Sequence, residues 1–167
     1  MSKRWIPNML TVFNLFAGIM AILLSLMEDW WAATALIVGA ALFDSLDGRI
    51  ARRLNVASEF GKQLDSLADL VSFGVAPAII AYMLNFISAG WNGYLLAALF
   101  PICGALRLAR FNTVSFQGYY LGLPITAAGP VLAGAALVGG SFPFELNALL
   151  LIALSALMVS TIKIPKL

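Results

Sequence analysis

The sequence contains no histidine and only one cysteine, Cys103. The absence of histidine excludes serine–histidine catalysis, histidine–zinc sites and the usual general base near neutral pH. A single cysteine excludes an intramolecular disulfide. Charged residues are also scarce, at 11% of 167 residues. Any acid–base or metal chemistry must therefore come from carboxylates.

Apolar residues dominate the composition: 62% of the chain is hydrophobic, and the mean hydropathy is +0.95. Such values indicate a polytopic membrane protein. Apolar runs recur along the whole chain, so we expect one transmembrane domain over residues 1–167, with an all-α fold. The runs and their breakers predict six transmembrane helices, over residues 8–27, 30–52, 62–87, 91–111, 123–138 and 145–162.

The charges give these helices a direction. If the amino terminus lies inside, the inside segments contain all ten basic residues. The outside loops contain only the acids Glu28, Asp29 and Glu145. This agrees with the positive-inside rule. We therefore expect a cell-membrane protein with both termini in the cytoplasm.

Four acids lie close together in the sequence: Asp44, Asp47, Asp65 and Asp69. Charge beside lipid is costly unless it has a partner or a function. Mutual repulsion, and for the first two acids a nearby helix carboxyl end, add to that cost. A divalent cation removes it, and hard oxygen ligands favour Mg²⁺, Mn²⁺ or Ca²⁺. Four carboxylates can hold two ions, which suits displacement at phosphorus.

Two other interpretations of the acids stay open. They can form a solvated cluster at the interface, paired with Arg49, Arg52, Arg53 and Lys62. They can also form the ion pathway of a cation transporter. Alternating-access transporters often contain repeated halves, and the second half of this chain has no acidic counterpart apart from Glu145.

The acids belong to a longer pattern, D-x2-D-G-x2-A-R-x8-G-x3-D-x3-D, which runs from Asp44 to Asp69. This pattern resembles the signature of the CDP-alcohol phosphotransferase family. The resemblance implies a membrane enzyme that transfers a substituted phosphate from a CDP-linked lipid or alcohol to a hydroxyl and releases CMP. It also implies Mg²⁺ or Mn²⁺, as two divalent ions, with Ca²⁺ able to substitute.

The resemblance assigns roles to the residues of the pattern. Asp44, Asp47 and Asp65 are expected to be metal ligands, and Asp69 both a ligand and the base for the acceptor's proton. The expected contacts of the CDP group are Gly48, Arg52 and Gly61. Glycine allows close approach of a phosphate, and arginine offers a fixed planar charge.

Three further segments, residues 7–14, 106–112 and 122–128, are similar to the phosphatidylserine synthase branch of that family. The third has Thr126 where a second proline is expected. Together they favour L-serine as acceptor, with glycerol 3-phosphate or an inositol phosphate as the alternative. Asn14 then becomes a candidate nucleotide contact, although an interhelical hydrogen bond would also explain it.

Arg107 and Arg110 lie one turn apart on the fourth helix. Both are candidates for binding the acceptor carboxylate or the lipid phosphate. Plain positive-inside anchoring explains them equally well.

The expected partners are the CDP-lipid, L-serine and the bilayer, with a homodimer implied by resemblance and no nucleic acid. The choice between diacyl and archaeal ether lipid stays open. Because the chain ends soon after Lys166, a form that lacks further carboxyl-terminal helices is also left open.

Overall fold

The computed structural model describes residues 5–54, 58–113 and 119–165, and the side chains within 8–44, 58–113 and 121–162. Within those residues the chain forms six helices, which confirms the all-helical class. In chain order they are α1 (Trp5–Leu26), α2 (Trp30–Leu54), α3 (Glu59–Ala89), α4 (Trp91–Thr113), α5 (Ile125–Gly139) and α6 (Phe144–Val159).

Helix α3 starts three residues before its predicted start. Ser58 has an extended backbone, and its hydroxyl accepts a hydrogen bond from the backbone N–H of Gly61 at 3.0 Å. This is an N-cap, which satisfies one of the free N–H groups at a helix start. The cap moves the start of the helix to Glu59 and fixes the direction in which α3 enters the bundle.

Helix α3 is not a uniform α-helix. It has π-helical turns at Leu70–Val75 and Tyr82–Phe86 and a final 3₁₀ turn at Ile87–Ala89. Pro77 removes one backbone donor, and local π turns are one way in which membrane helices satisfy the carbonyls that a proline leaves free. The first π turn begins directly after Asp69, so it sets the direction in which α3 continues beyond the acids.

The core of the bundle is centred on α3. The apolar window of α3 is 50% buried, against 28% for α1 and 22% for α4. Two close approaches hold it in place. A Cβ at Gly18 of α1 would overlap Ser72, and a Cβ at Gly129 of α5 would come within 2.8 Å of the Phe73 Cα. Small residues at such contacts are typical of membrane helix packing.

Three helices are long and apolar enough to cross a bilayer by themselves: Asn8–Leu26, Glu59–Ala89 and Trp91–Thr113. Three apolar helices are shorter: Trp30–Asp44, Ile125–Gly139 and Phe144–Val159. A straight span takes about 20 residues. The protein is therefore an integral membrane protein, while six complete crossings remain a prediction for the shorter helices.

The sequence pattern did not predict a small antiparallel strand pair at the end of the described chain. Strand β1 (Tyr119–Leu121) pairs with β2 (Lys163–Pro165), with Tyr120 opposite Ile164. The pair follows from an early end of α6 at Val159, three residues before its predicted end. It leaves the fold class unchanged.

Candidate active site

Three of the four predicted acids meet at one end of the bundle. Asp44 is on α2, and Asp65 and Asp69 are one turn apart on α3. Each carboxylate offers one oxygen, and the three oxygens lie within 4.8 Å of one another. Asp44 and Asp65 are half-buried, and Asp69 is only 7% exposed. Two helices thus bring like charges together at positions that are partly or fully buried.

The sequence predicted that the carboxyl end of α2 would add to the cost of the charge at Asp44. That prediction is wrong. Helix α2 continues to Leu54, ten residues beyond Asp44. Dipole effects fade within the last turn of a helix. The cost therefore comes from mutual repulsion and burial. Both are relieved by a cation among the three oxygens.

The spacing of the oxygens fits such a cation. Ligand oxygens on opposite sides of Mg²⁺ lie about 4.2 Å apart, and those across Ca²⁺ about 5 Å apart. All three oxygens lie within 4.8 Å of one another, so they are close enough to share a cation of this size after small adjustments of the side chains. The donor set also contains oxygen only, as hard divalent cations prefer. Asp44, Asp65 and Asp69 can therefore hold a divalent metal, as the resemblance to the CDP-alcohol phosphotransferase family implies.

Asp69 is held in place by Asn14 of α1. The Asn14 side-chain N–H donates to Asp69 Oδ1 at 3.2 Å, and Asn14 is 1% exposed. The hydroxyl of Ser72 donates to the Asn14 backbone carbonyl at 2.9 Å. A hydrogen bond to a buried carboxylate restricts its rotation. The interhelical bond considered for Asn14 therefore exists, and its partner is one of the acids.

The fourth acid and two predicted CDP contacts lie largely outside the described part of the structure. Asp47, Gly48 and Arg52 belong to α2, whose backbone is described to Leu54, but their side-chain surroundings are outside the described residues. Their proposed roles stay predictions. Asp47 follows Asp44 by three residues on the same helix, so the two positions are neighbours on the surface of α2.

Gly61 occupies a tight place between two helix starts. A Cβ there would come within 3.0 Å of Asn8 Oδ1 and 3.1 Å of Ser58 Oγ. The absence of a side chain lets α1 and α3 approach each other beside the acids. The close contact gives Gly61 a packing role, and its contact with the CDP group stays a prediction.

The two arginines of α4 differ in their surroundings. Arg110 donates to the backbone carbonyls of Val159, Met158 and Ser160 at 3.0, 3.4 and 3.2 Å. These carbonyls end α6, where a cation is favoured. Arg107 is 8% exposed, and its Cζ lies 6.0 Å from the ring centre of Phe111. Arg110 therefore has a structural role at the end of α6. Arg107 is the more buried of the two arginines.

A polar network that the sequence analysis missed joins α3 to α4. Asn112 donates to the Ser66 hydroxyl at 2.9 Å, and Lys62 donates to the Asn112 carbonyl at 3.0 Å. Ser66 follows Asp65 directly, so this network fixes the part of α3 that carries the acids. Asn112 belongs to the segment 106–112, which resembles the phosphatidylserine synthase branch, but the sequence pattern does not predict Ser66 as its partner.

A further residue emerges beside Asn14. Thr11 lies one turn earlier on α1 and is 5% exposed. A buried hydroxyl three residues before a buried amide, within an otherwise apolar helix, was the available signal. Thr11 and Asn14 are neighbours on the surface of α1, and Asn14 contacts α3.

The family comparison agrees with this site. Residues 4–163 match the model of the CDP-alcohol phosphatidyltransferase family. The CDP-diacylglycerol–serine O-phosphatidyltransferase of Methanocaldococcus jannaschii is 43% identical over 96% of this chain and 74% of its own length. The enzyme of that name from Bacillus subtilis is 40% identical over 97% of this chain and 90% of its own length. The archaetidylserine synthase of Methanothermobacter thermautotrophicus is 41% identical over 96% and 70%. The chain therefore belongs to the CDP-alcohol phosphatidyltransferase family.

Proposed function

We propose that this enzyme transfers a phosphatidyl group from a CDP-linked lipid to the hydroxyl of L-serine and releases CMP. The observation that carries the proposal is the meeting of Asp44, Asp65 and Asp69, with Asp69 buried and oriented by Asn14. Relatives named as serine transferases, each about 40% identical, support serine as the acceptor. An archaetidylserine synthase among them leaves both diacyl and ether lipids as substrates.

The metals of the proposed site are two Mg²⁺ or Mn²⁺ ions, which Ca²⁺ can replace as a bound ion. Asp44, Asp65 and Asp69 would hold them, with Asp47 as the fourth ligand. Bound there, the ions would neutralise charge on the diphosphate during displacement at phosphorus. The remaining chemistry is assigned to side chains of the protein.

Asp69 is the proposed base. Its carboxylate takes the proton of the serine hydroxyl, the serine oxygen bonds to the phosphorus that carries the lipid, and the bond from that phosphorus to the CMP oxygen breaks. General-base catalysis of this kind contributes about two to four orders of magnitude. Asn14 fixes the rotation of the carboxylate through Oδ1. The chain has no histidine to take this role.

The proposed CDP contacts are Gly48, Arg52, Gly61 and Asn14. For Asn14 a specific observation supports the proposal. Its side-chain oxygen is buried and has no hydrogen-bond partner among the described residues. Buried polar atoms are normally paired. A ribose hydroxyl or a cytosine amine would supply the missing donor while the amide N–H stays on Asp69.

Arg107 is the better candidate of the two arginines for the serine carboxylate. Because Arg107 is largely buried, water weakens its attraction for a carboxylate less than it would for an exposed arginine, while Arg110 donates to the end of α6. The alternative acceptors carry a doubly charged phosphate and would need more positive charge. Helices α5 and α6 contain no basic residue. That favours serine over glycerol 3-phosphate or an inositol phosphate.

An acceptor screen tests this function. Purified protein in detergent would receive CDP-lipid, a divalent metal and one acceptor at a time. We expect CMP release with L-serine well above that with glycerol 3-phosphate or inositol phosphate. Equal release with every acceptor, or release without any, would contradict a serine transferase.

We also propose that the site opens to the cytoplasm and that two copies form a homodimer. The orientation rests on the distribution of basic residues. Single cysteines in a Cys103→Ser background test it, because Glu59 and Glu145 are both exposed and the proposed orientation puts them on opposite sides of the membrane. In inside-out vesicles an impermeant thiol reagent should label Glu59→Cys and spare Glu145→Cys. The reverse pattern would overturn the orientation. Chemical crosslinking of native membranes tests the homodimer.

A further inference from the structure

A groove on the outer side of the α1–α2 pair has no role in the chemistry described so far. Its volume is about 470 Å³, within the range of roughly 300–1,000 Å³ typical of ligand pockets. All nine of its lining residues are apolar or glycine. They include Phe13 and Phe16 of α1 and Gly39, Ala40 and Phe43 of α2. A polar ligand has no partner there.

The shape of the groove comes from a contrast in side-chain size. Phe13, Phe16 and Phe43 are 57–60% exposed, so their rings stand out from the helix pair. Ala40 is 1% exposed and Gly39 has no side chain, so the surface between the rings is low. Gly39 and Phe43 are one turn apart on the same face of α2. The groove therefore lies between these rings, along the α1–α2 pair.

One end of this groove is level with the acids along the helix axes. Phe43 directly precedes Asp44, and Phe13 directly precedes Asn14, which donates to Asp69. From Phe43 the lining extends along α2 to Ala35, about 12 Å at the rise of an α-helix. The groove therefore has one end near the level of the proposed head-group site, and it extends from there along α1 and α2 towards the other end of the bundle.

We infer that this groove holds one hydrocarbon chain of the CDP-lipid during the reaction, an inference that rests on the proposed function. The diphosphate is held at the acids, so a chain attached to it is kept at high effective concentration at the mouth of the groove. An unrelated bilayer lipid has no such tether. The groove then helps to set how the lipid phosphorus faces Asp69.

The expected gain in binding is moderate. The bilayer interior is as apolar as the groove, so the chain gains packing contacts rather than hydrophobic transfer. Filling the groove should therefore weaken binding on the order of tenfold rather than abolish the reaction. It should do so only for substrates whose chains reach the groove.

Two matched glycines make the test possible. A Cβ at Gly39 meets nothing within 4 Å, and the same is true at Gly134 of α5, outside the groove. Both positions are half-buried. Gly39→Phe should raise KM about tenfold for a dioleoyl CDP-lipid and leave KM for a dibutanoyl CDP-lipid unchanged. Gly134→Phe should change neither. An equal effect on both substrates, no effect, or a shift in oligomeric state at unchanged KM would overturn the inference.

A second measurement uses the unaltered protein, so it does not depend on the folding of a variant. A CDP-lipid with a diazirine on one chain should crosslink to α1 and α2 peptides around Phe13 and Phe43, and unlabelled CDP-lipid should compete. Labelling equal to that by a diazirine phosphatidylcholine would show a bulk-lipid surface and contradict the inference. Lack of serine-dependent CMP release by the unaltered protein would instead refute the proposed function.

Discussion

The two ends of the bundle each contain buried polar side chains, but these side chains have different partners. At one end, Asp44, Asp65 and Asp69 bring negative charge together. At the other, Asn85 donates to the Ala136 carbonyl at 3.1 Å and Asn147 donates to the Gly139 carbonyl at 2.9 Å. The amides bind the last carbonyls of α5, so they complete a helix end. The acids repel each other, and their oxygens are placed so that they could hold a cation.

There is little space around the amides. The cavity beside Asn85 and Asn147 is about 10 Å³, room for about one water. A Cβ at Gly139 would come within 2.6 Å of Asn85 Oδ1 and 2.7 Å of Asn147 Oδ1, so the amides are packed tightly. Polar residues inside a membrane bundle thus serve either packing or chemistry. The surroundings of each group, rather than its polarity, show which.

The largest effect should come from the acids that we propose as ligands of the cation. Asp44→Ala or Asp65→Ala removes one carboxylate from a cluster of three and should abolish CMP release, while the thermal midpoint in metal-free detergent stays the same or rises as repulsion falls. Asn147→Ala should do the opposite, keeping turnover per folded molecule and costing about 1–3 kcal/mol of stability. Thermal melts and CMP assays on the same samples measure both. Inactive but stable Asn147→Ala would break the comparison.

A smaller loss is expected at Asp69, which we propose as the base as well as a metal ligand. Asp69→Asn preserves shape and removes the charge, so serine transfer should fall by about two to four orders of magnitude. Binding of CDP-lipid should remain measurable by tritiated-lipid binding. If Asp69→Asn keeps near-normal turnover, Asp69 is not the base, and another proton acceptor near serine has to be sought.

Asn14 should have an intermediate effect because it orients Asp69 rather than reacting. A hydrogen bond to a charged group is worth about 1.5–3 kcal/mol, so Asn14→Ala should lower kcat about tenfold to a hundredfold with a smaller change in KM for serine. Asn85→Ala is the matched control at the other end and should leave kcat unchanged. Similar losses of kcat in both variants would make Asn14 a general stability residue.

The smallest effects should distinguish the two arginines. Arg107→Lys keeps the charge but loses the planar fork, so KM for serine should rise several-fold. Arg110→Lys should lower the thermal midpoint through the end of α6 and leave KM for serine near normal. Unchanged serine kinetics in Arg107→Lys and in Arg107→Ala would show that Arg107 is an anchor only.

The sequence predicted the all-helical membrane fold, the boundaries of most helices to within three residues, and the convergence of Asp44, Asp65 and Asp69. These features depend on local patterns: apolar runs, charge placement and fixed spacing. The contact of Asn14 with Asp69 is across 55 residues, and its existence depends on how closely Gly18 lets α1 approach Ser72. The Asn112–Ser66 bond and the groove between α1 and α2 likewise come from helix packing. Side-chain size at a distant helix sets such contacts, and no local pattern reports it.

The most direct test of the central claim combines serine and metal in one assay. CMP release from CDP-lipid would be followed with the unaltered protein, with Asp65→Ala and with Asn147→Ala, first in EDTA and then after addition of Mg²⁺ or Mn²⁺. The account predicts serine-dependent release that appears only with metal, in the unaltered protein and Asn147→Ala but not in Asp65→Ala. Full-rate release in EDTA, or a metal-dependent rate in Asp65→Ala equal to that of the unaltered protein, would contradict it.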